Sequence, residues 1–235
     1  MKTRLLCFPS AGAGAVSYRT WLNAFPHNVE VVPIELPGRG ARIKESLFFD
    51  VRALAGALIS GSAGHFNEPY AVFGHSVGAL LAYEVVRLVE RAPVHFFASA
   101  HRSPDYPQTA PILHDLSDDA LCRELKSLGG LNEALSRERD VMRLLLPAIR
   151  ADLRMTETYQ PDCEPFILPC PITAYAGAAD ELVPAAHMEG WRLHTARSFH
   201  LNVMQGGHFY LQQFGCPLTS MLAASLKDGM ALREP

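Results

Sequence analysis

The chain has 235 residues, 49% of them hydrophobic and 19% charged, a balance that excludes a fibre, a disordered tail and a disulfide-framed miniprotein. One core in a chain of this length buries roughly 70–75% of the surface exposed on unfolding, so a single domain needs no metal or disulfide staple. The formal net charge of −3 lacks the basic excess of a general nucleic-acid binder. Five scattered cysteines (Cys7, Cys122, Cys163, Cys170 and Cys216) form no C-x-x-C pair and no zinc spacing. They read as reduced, mostly buried thiols of a soluble, cytoplasmic protein.

Arg4 to Phe8 is the first predicted strand. With Lys2 ahead of it and Pro9 after it, the run is too short for a signal peptide, and no stretch approaches the ~18 apolar residues of a membrane span. The small-residue turn Pro9-Ser-Ala-Gly-Ala-Gly14 follows. It lacks the Lys-Ser/Thr of a phosphate loop and the full G-x-G-x-x-G spacing. Its backbone can instead donate to a developing oxyanion, with Ala11 the expected donor. Val29 to Leu36 reads as the second strand, leading into Leu36-Pro-Gly-Arg-Gly40. There Arg39 either brackets a pocket or holds a turn. Val51 to Ile59 carries apolar residues at helical spacing.

Tyr70 to Phe73 reads as a strand and Ala79 to Val89 as a helix. Between them lies Gly74-His-Ser-Val-Gly78, a G-x-S-x-G pattern in the strand–turn–helix setting of a nucleophile elbow. The sharp turn aims the Ser76 hydroxyl at a helix N-terminus, and Val77 N–H becomes an oxyanion donor. His75 points away from its neighbour and is expected to orient the elbow or line the pocket. Val94 to Ala98 is the next strand.

From about 104 to 161 the β–α rhythm stops and only helical patterns appear. Ser117 caps a helix with Asp118 and Asp119 in its first turn, Leu121, Leu125 and Leu128 on one face, and Gly129-Gly130 at its end. Val141 to Arg154 is a second helix, with Pro147 either kinking it or starting a new one. This segment is either a surface helical pair or a lid inserted over the pocket.

A strand at Ile172 to Ala176 precedes Asp180, placed where α/β sheets gather functional side chains. A serine nucleophile needs a base and an orienting acid, in the chain order Ser, acid, His. Glu181 is the rival acid, and Asp162, ahead of the strand, is less well placed. Among ten histidines, His208 follows the last predicted strand, Ser198 to Met204, directly. His200 lies within that strand, and His187 and His194 fall in the helical stretch after Pro184. Alternating strands and helices imply an α/β fold with a mostly parallel sheet.

Leu6-Cys-Phe-Pro-Ser-Ala-Gly, Leu36-Pro-Gly-Arg-Gly40, Gly74-His-Ser-Val-Gly78, Gly177-Ala-Ala-Asp180 and Gly206-Gly-His208 together resemble the type II thioesterases of polyketide and nonribosomal peptide synthesis. Within the helical segment, Leu128-Gly-Gly, Leu146-Pro-Ala-Ile-Arg-Ala-Asp152 and Glu157-Thr-Tyr159 resemble the same family. The family often has His where this chain has Ser10, and a further Gly where it has Ala13. The resemblance implies an α/β-hydrolase fold in one domain over 1–235, with helices on both sheet faces and a helical lid at about 104–161.

It implies a Ser76, Asp180, His208 triad with Ala11 and Val77 as oxyanion donors. The implied reaction is hydrolysis of stalled or aberrant acyl or aminoacyl thioesters from phosphopantetheine arms. No cofactor or metal is expected. The expected partners are acyl or peptidyl carrier protein domains, met by a monomer without nucleic acid or membrane. Arg102, Arg123 and Lys126 are the candidate docking cations. Release of medium-chain fatty acids and hydrolysis of small carboxylic esters are the alternative reactions, and a non-catalytic binding module is the alternative class.

Overall fold

Leu5 and Cys7 face one side of the first strand and Leu6 and Phe8 the other, and all four are buried. A strand apolar on both faces has to sit inside a sheet covered twice. The computed structural model, which describes residues 2–131 and 133–231, places it there. Six strands, β1 (Thr3–Phe8), β2 (Val29–Pro33), β3 (Tyr70–His75), β4 (Phe96–Ser99), β5 (Ile172–Gly177) and β6 (Phe199–Met204), pair in the order β2-β1-β3-β4-β5-β6. Every pair is parallel.

One face of the sheet is covered by α1 (Val51–Ser62) and α2 (Val77–Arg87), with Met188 and Trp191 beyond them. The other is covered by Tyr18 and Trp21 of the 3₁₀ segment Ala15–Asn23 and by Leu218, Leu222 and Leu226 of the C-terminal helix. Successive crossovers therefore leave β1 on one face and β2 on the other. The crevice between β1 and β3 is the point where the winding reverses, and α/β sheets bind their ligands at such points.

Among the described residues three helices lie between β4 and β5: α3 (Asp118–Ser127), α4 (Glu133–Arg137) and α5 (Arg139–Glu157). Ser117 caps α3 through its side chain and Gly129 turns the chain out with φ +81. Pro147 neither ends nor begins a helix, because α5 runs through it. A third apolar cluster, including Leu121, Leu125, Leu131, Leu146 and Ile149, joins these helices. The last helices are the short α6 (Ala185–Met188) and α7 (Leu218–Ala231).

Four expectations need correction. β2 stops at Pro33 and not at Leu36: its last pair with β1 is Pro33 with Cys7, and Ile34 N still donates to Cys7 O at 2.9 Å. β4 begins at Phe96 instead of Val94, although Val94 still donates to Tyr70 O at 2.7 Å. α2 begins at Val77, two residues early, because the elbow passes straight into helix. Among the described residues no disulfide joins the cysteines, but only Cys7 and Cys170 are buried, and Cys163 is exposed. Among the described residues no helix is long and apolar enough to cross a membrane.

Candidate active site

Ser76 sits at φ 54, ψ −128, in the left-handed half of backbone space that non-glycine residues avoid. The strain is held by its surroundings. Ser76 N donates to Ser99 O at 2.7 Å, and Ala79 N donates to Ser76 O at 2.8 Å. A Cβ on Gly74 would lie 2.4 Å from Gly78 O, and one on Gly78 would lie 2.3 Å from Phe8 O. The two glycines of the motif thus let the elbow close on itself and on the loop after β1. As the first residue of α2, Val77 has an amide with no acceptor inside its helix.

His208 and Asp180 arrive from loops at the ends of β6 and β5, which are laced together. Ala178 N donates to Met204 O and Ala179 N to Gly206 O, and a Cβ on Gly177 would strike Gly207 O at 2.4 Å. His208 Nε2 lies 2.9 Å from Ser76 Oγ, and His208 Nδ1 lies 2.8 Å from Asp180 Oδ2. A carboxylate only accepts, so Nδ1 carries the proton and Nε2 is left to accept from the serine hydroxyl. The other carboxylate oxygen, Oδ1, accepts from Leu182 N and Val183 N at 3.0 Å each. Both Asp180 and His208 are buried.

The rivals fall away. Glu181 is exposed. Asp162 is ion-paired to Arg52 and Arg87, and Arg87 holds its carboxyl below the usual range. His194 is buried between Tyr83 OH and Asp105, and His200 lies exposed in β6. His187 borders the smaller cavity described below. His75 is 2% exposed, packs its ring beside His208 and joins Ser99 Oγ at 2.8 Å, which in turn meets Tyr210 OH. Burial, reinforced by His208, pushes its pKa well down, so it is a neutral wedge behind the base.

Two cavities meet at Ser76 and His208. One, of about 220 Å³, reaches the Ser10–Ala13 loop and is walled by Leu125, Leu128, Leu131, Leu145 and Ile149. The other, about 50 Å³, is bordered by Arg102, Gln108, Thr156 and Glu157. Arg102 is half-buried and donates to Tyr106 O and Thr156 O. Burial lowers its guanidinium pKa, with Glu157 opposing. Lys126 pairs with Glu133, and Arg123 is exposed. Arg39 serves as a structural anchor: it is buried and paired with Asp152 of α5. Sequence reasoning missed the wall residues Leu113, Leu153 and Leu182, which border both cavities and come from three separate segments.

A positioned serine, imidazole and carboxylate beneath an apolar cavity can carry acyl transfer through a covalent intermediate. The family model described as Thioesterase domain matches residues 3–222. The chain belongs to the thioesterase family. This thioesterase is 35% identical, over 95% of its length and 88% of the relative's, to a protein of Brevibacillus parabrevis named linear gramicidin dehydrogenase LgrE. Despite that name, residues 9–14 of the present thioesterase open no G-x-G-x-x-G dinucleotide turn.

The type II thioesterase BorB of the borrelidin biosynthetic cluster is 34% identical, with a TM-score of 0.87 over 96% of this chain and 93% of that one. ClbQ, from the colibactin NRPS/PKS pathway, is 28% identical and superposes with a TM-score of 0.92 over 99% of this chain and all of that one. The sheet, its helices and these neighbours give the thioesterase the α/β-hydrolase fold, and its activity is thioester hydrolysis.

Proposed function

We propose that the chain hydrolyses stalled or aberrant acyl and aminoacyl thioesters carried on the phosphopantetheine arms of carrier proteins in polyketide or nonribosomal peptide synthesis. The observation that carries this reading is the continuous hydrogen-bonded path Asp180–His208–Ser76 at the floor of a leucine-walled cavity. Ser76 Oγ attacks the thioester carbonyl while His208 Nε2 takes its proton. The amides of Ala11 and Val77 receive the oxyanion. As the tetrahedral adduct collapses the C–S bond breaks, and the imidazolium returns its proton to the departing thiolate. A water, deprotonated by the same nitrogen, then attacks the acyl-serine carbonyl; the C–Oγ bond breaks, the imidazolium returns its proton to Ser76 Oγ, and the acid leaves.

In this reading the larger, leucine-walled cavity takes the acyl group and the smaller one, bordered by Arg102, Gln108, Thr156 and Glu157, takes the arm. The helices of 104–161 form the lid. The mechanism asks for no cofactor, since nucleophile, base and donors all belong to the chain.

The test compares one acyl group on a carrier protein, on coenzyme A and on a short thiol. Carrier contacts remote from the scissile bond should raise kcat/KM by about tenfold, a modest ~1.4 kcal/mol of extra positioning. Ser76→Ala should leave no acyl adduct by mass spectrometry. Equal efficiency on all three thiols, or preference for the oxygen ester, would move the assignment to a small-molecule esterase.

A further inference from the structure

The loop that supplies Ala11 N–H has little of its own to hold it. Residues 9–14 are Pro, Ser, Ala and Gly, without a large side chain to anchor in the core. The anchor comes from α5, about 140 residues further along the chain. Asp152, 1% exposed, accepts from Gly12 N at 2.8 Å. Its carboxylate is clasped by Arg39, through Nη1 and, at 2.9 Å, through Nη2. The same guanidinium reaches Ala13 O at 3.4 Å and, through Nε, Pro37 O at 3.4 Å. One turn earlier on α5, Ile149 presses on Gly12, whose φ is +70 and whose missing Cβ would lie 2.2 Å from Ile149 Cγ1. Glu35 props the far end of the loop by accepting from Ala15 N at 3.2 Å. Of the three peptide units that follow Ala11 N–H, the first, through Gly12 N, and the third, through Ala13 O, thus bond to this buried pair.

We propose that Asp152 and Arg39 are positioning residues that fix the oxyanion loop, so that α5 is part of the catalytic framework and not a moving part of the lid. The proposal rests on the thioesterase reading above. A buried carboxylate one residue from an oxyanion donor would by itself oppose negative charge on the substrate oxygen. The Arg39 fork cancels that charge while leaving the Asp152–Gly12 bond in place, so the loop is held without an electrostatic penalty.

The experiment uses the full chain with two variants. Asp152→Asn keeps the shape and loses the pair. Arg39→Lys keeps the charge balance and loses the fork, so it leaves no uncompensated buried charge. Removing an oxyanion donor outright lowers kcat by about 10²–10³, so displacing one should lower it by about 10–100-fold in Asp152→Asn and about 3–10-fold in Arg39→Lys. Two ligands with the same acyl chain separate positioning from general loosening. An acyl trifluoromethyl ketone, which forms a tetrahedral adduct on Ser76, should weaken in step with kcat. The non-hydrolysable thioether analogue should bind within about twofold of wild type.

The inference is overturned if a folded variant keeps kcat within twofold, or if both ligands weaken alike. Should Asp152→Asn not fold, Arg39→Lys alone decides by the same two criteria. Failure of wild type to acylate Ser76 with a thioester would instead sink the thioesterase reading, so the two failures are distinguishable.

Discussion

Asp180 is committed at both oxygens: Oδ2 to His208 Nδ1, and Oδ1 to the amides of Leu182 and Val183. In Asp180→Asn the amide carbonyl keeps the two backbone donors, and the NH₂ turns towards His208 Nδ1. That forces the wrong tautomer, with a proton on the nitrogen that should accept from Ser76. The expected loss in kcat is about 10⁴-fold, as for a triad left with its geometry but not its protonation. Glu181, exposed one residue on, cannot rescue it, and Glu181→Gln should stay within about twofold of wild type. Steady-state kinetics on one thioester check both variants; strong residual activity in Asp180→Asn would place the acid elsewhere. The meeting of Ser76, Asp180 and His208 was legible because each follows a readable strand in a fixed order. Asp152 was not, because its role depends on contacts with Gly12 and Arg39, 140 and 113 residues away. Arg39 stayed undecided for the same reason: no local pattern could reveal its partner.

Elements were legible where periodicity was local and slipped where neighbours set the boundary. The start of α2 shows how. Read as sequence, Gly78 belongs to the turn and the helix opens at Ala79. In the structure Gly78 is inside the helix, pressed against Phe8 O and Pro9 O. Gly78→Ala should therefore push backbone against backbone and cost about 1–3 kcal/mol while misplacing Ser76. Gly56, in α1 with nothing within 4 Å of its missing Cβ, is the opposite case. Gly56→Ala should stabilise by about 0.5–1 kcal/mol through helix propensity alone. Thermal melts of the pair check the contrast; two variants of equal stability would refute the close-approach argument. The helices between β4 and β5 divide likewise. If α5 is tied to the oxyanion loop as proposed, a gating lid would have to be α3 and α4. Amides of residues 118–137 should exchange faster than those of 146–156, and slow when Ser76 carries the trifluoromethyl ketone. Uniform protection across both spans, unchanged by the adduct, would rule out gating by this segment.

On the scale of the whole molecule, the sheet buries several imidazoles that the chemistry does not use. His95 stacks on Phe97 and bonds to Thr173 Oγ1 at 2.8 Å. Burial, with His200 adding to it, lowers its pKa to about 4. His101, at the end of β4, is lowered to about 3, chiefly by burial and then by Arg102, and His75 is pushed well down beside His208. Each is neutral in the folded state and has an ordinary value near 6.5 once unfolded. Between those values the unfolded chain binds more protons, so stability rises with pH through that window. The contribution is fully present above about pH 6.5 and is lost as pH falls, by about 2 kcal/mol for His95 alone at pH 5. The fold should therefore lose Tm between pH 7 and 5, before the ordinary carboxylates titrate. His95→Gln, which keeps an amide for Thr173, should make that decline shallower by up to ~1.4 kcal/mol per pH unit, one proton's worth. Kinetics in acid reads the chemistry as well as the fold, so it cannot separate the two. Calorimetric melts of wild type and His95→Gln across this range do separate them. A decline of the same slope in both proteins would mean that His95 does not carry the acid sensitivity of the fold.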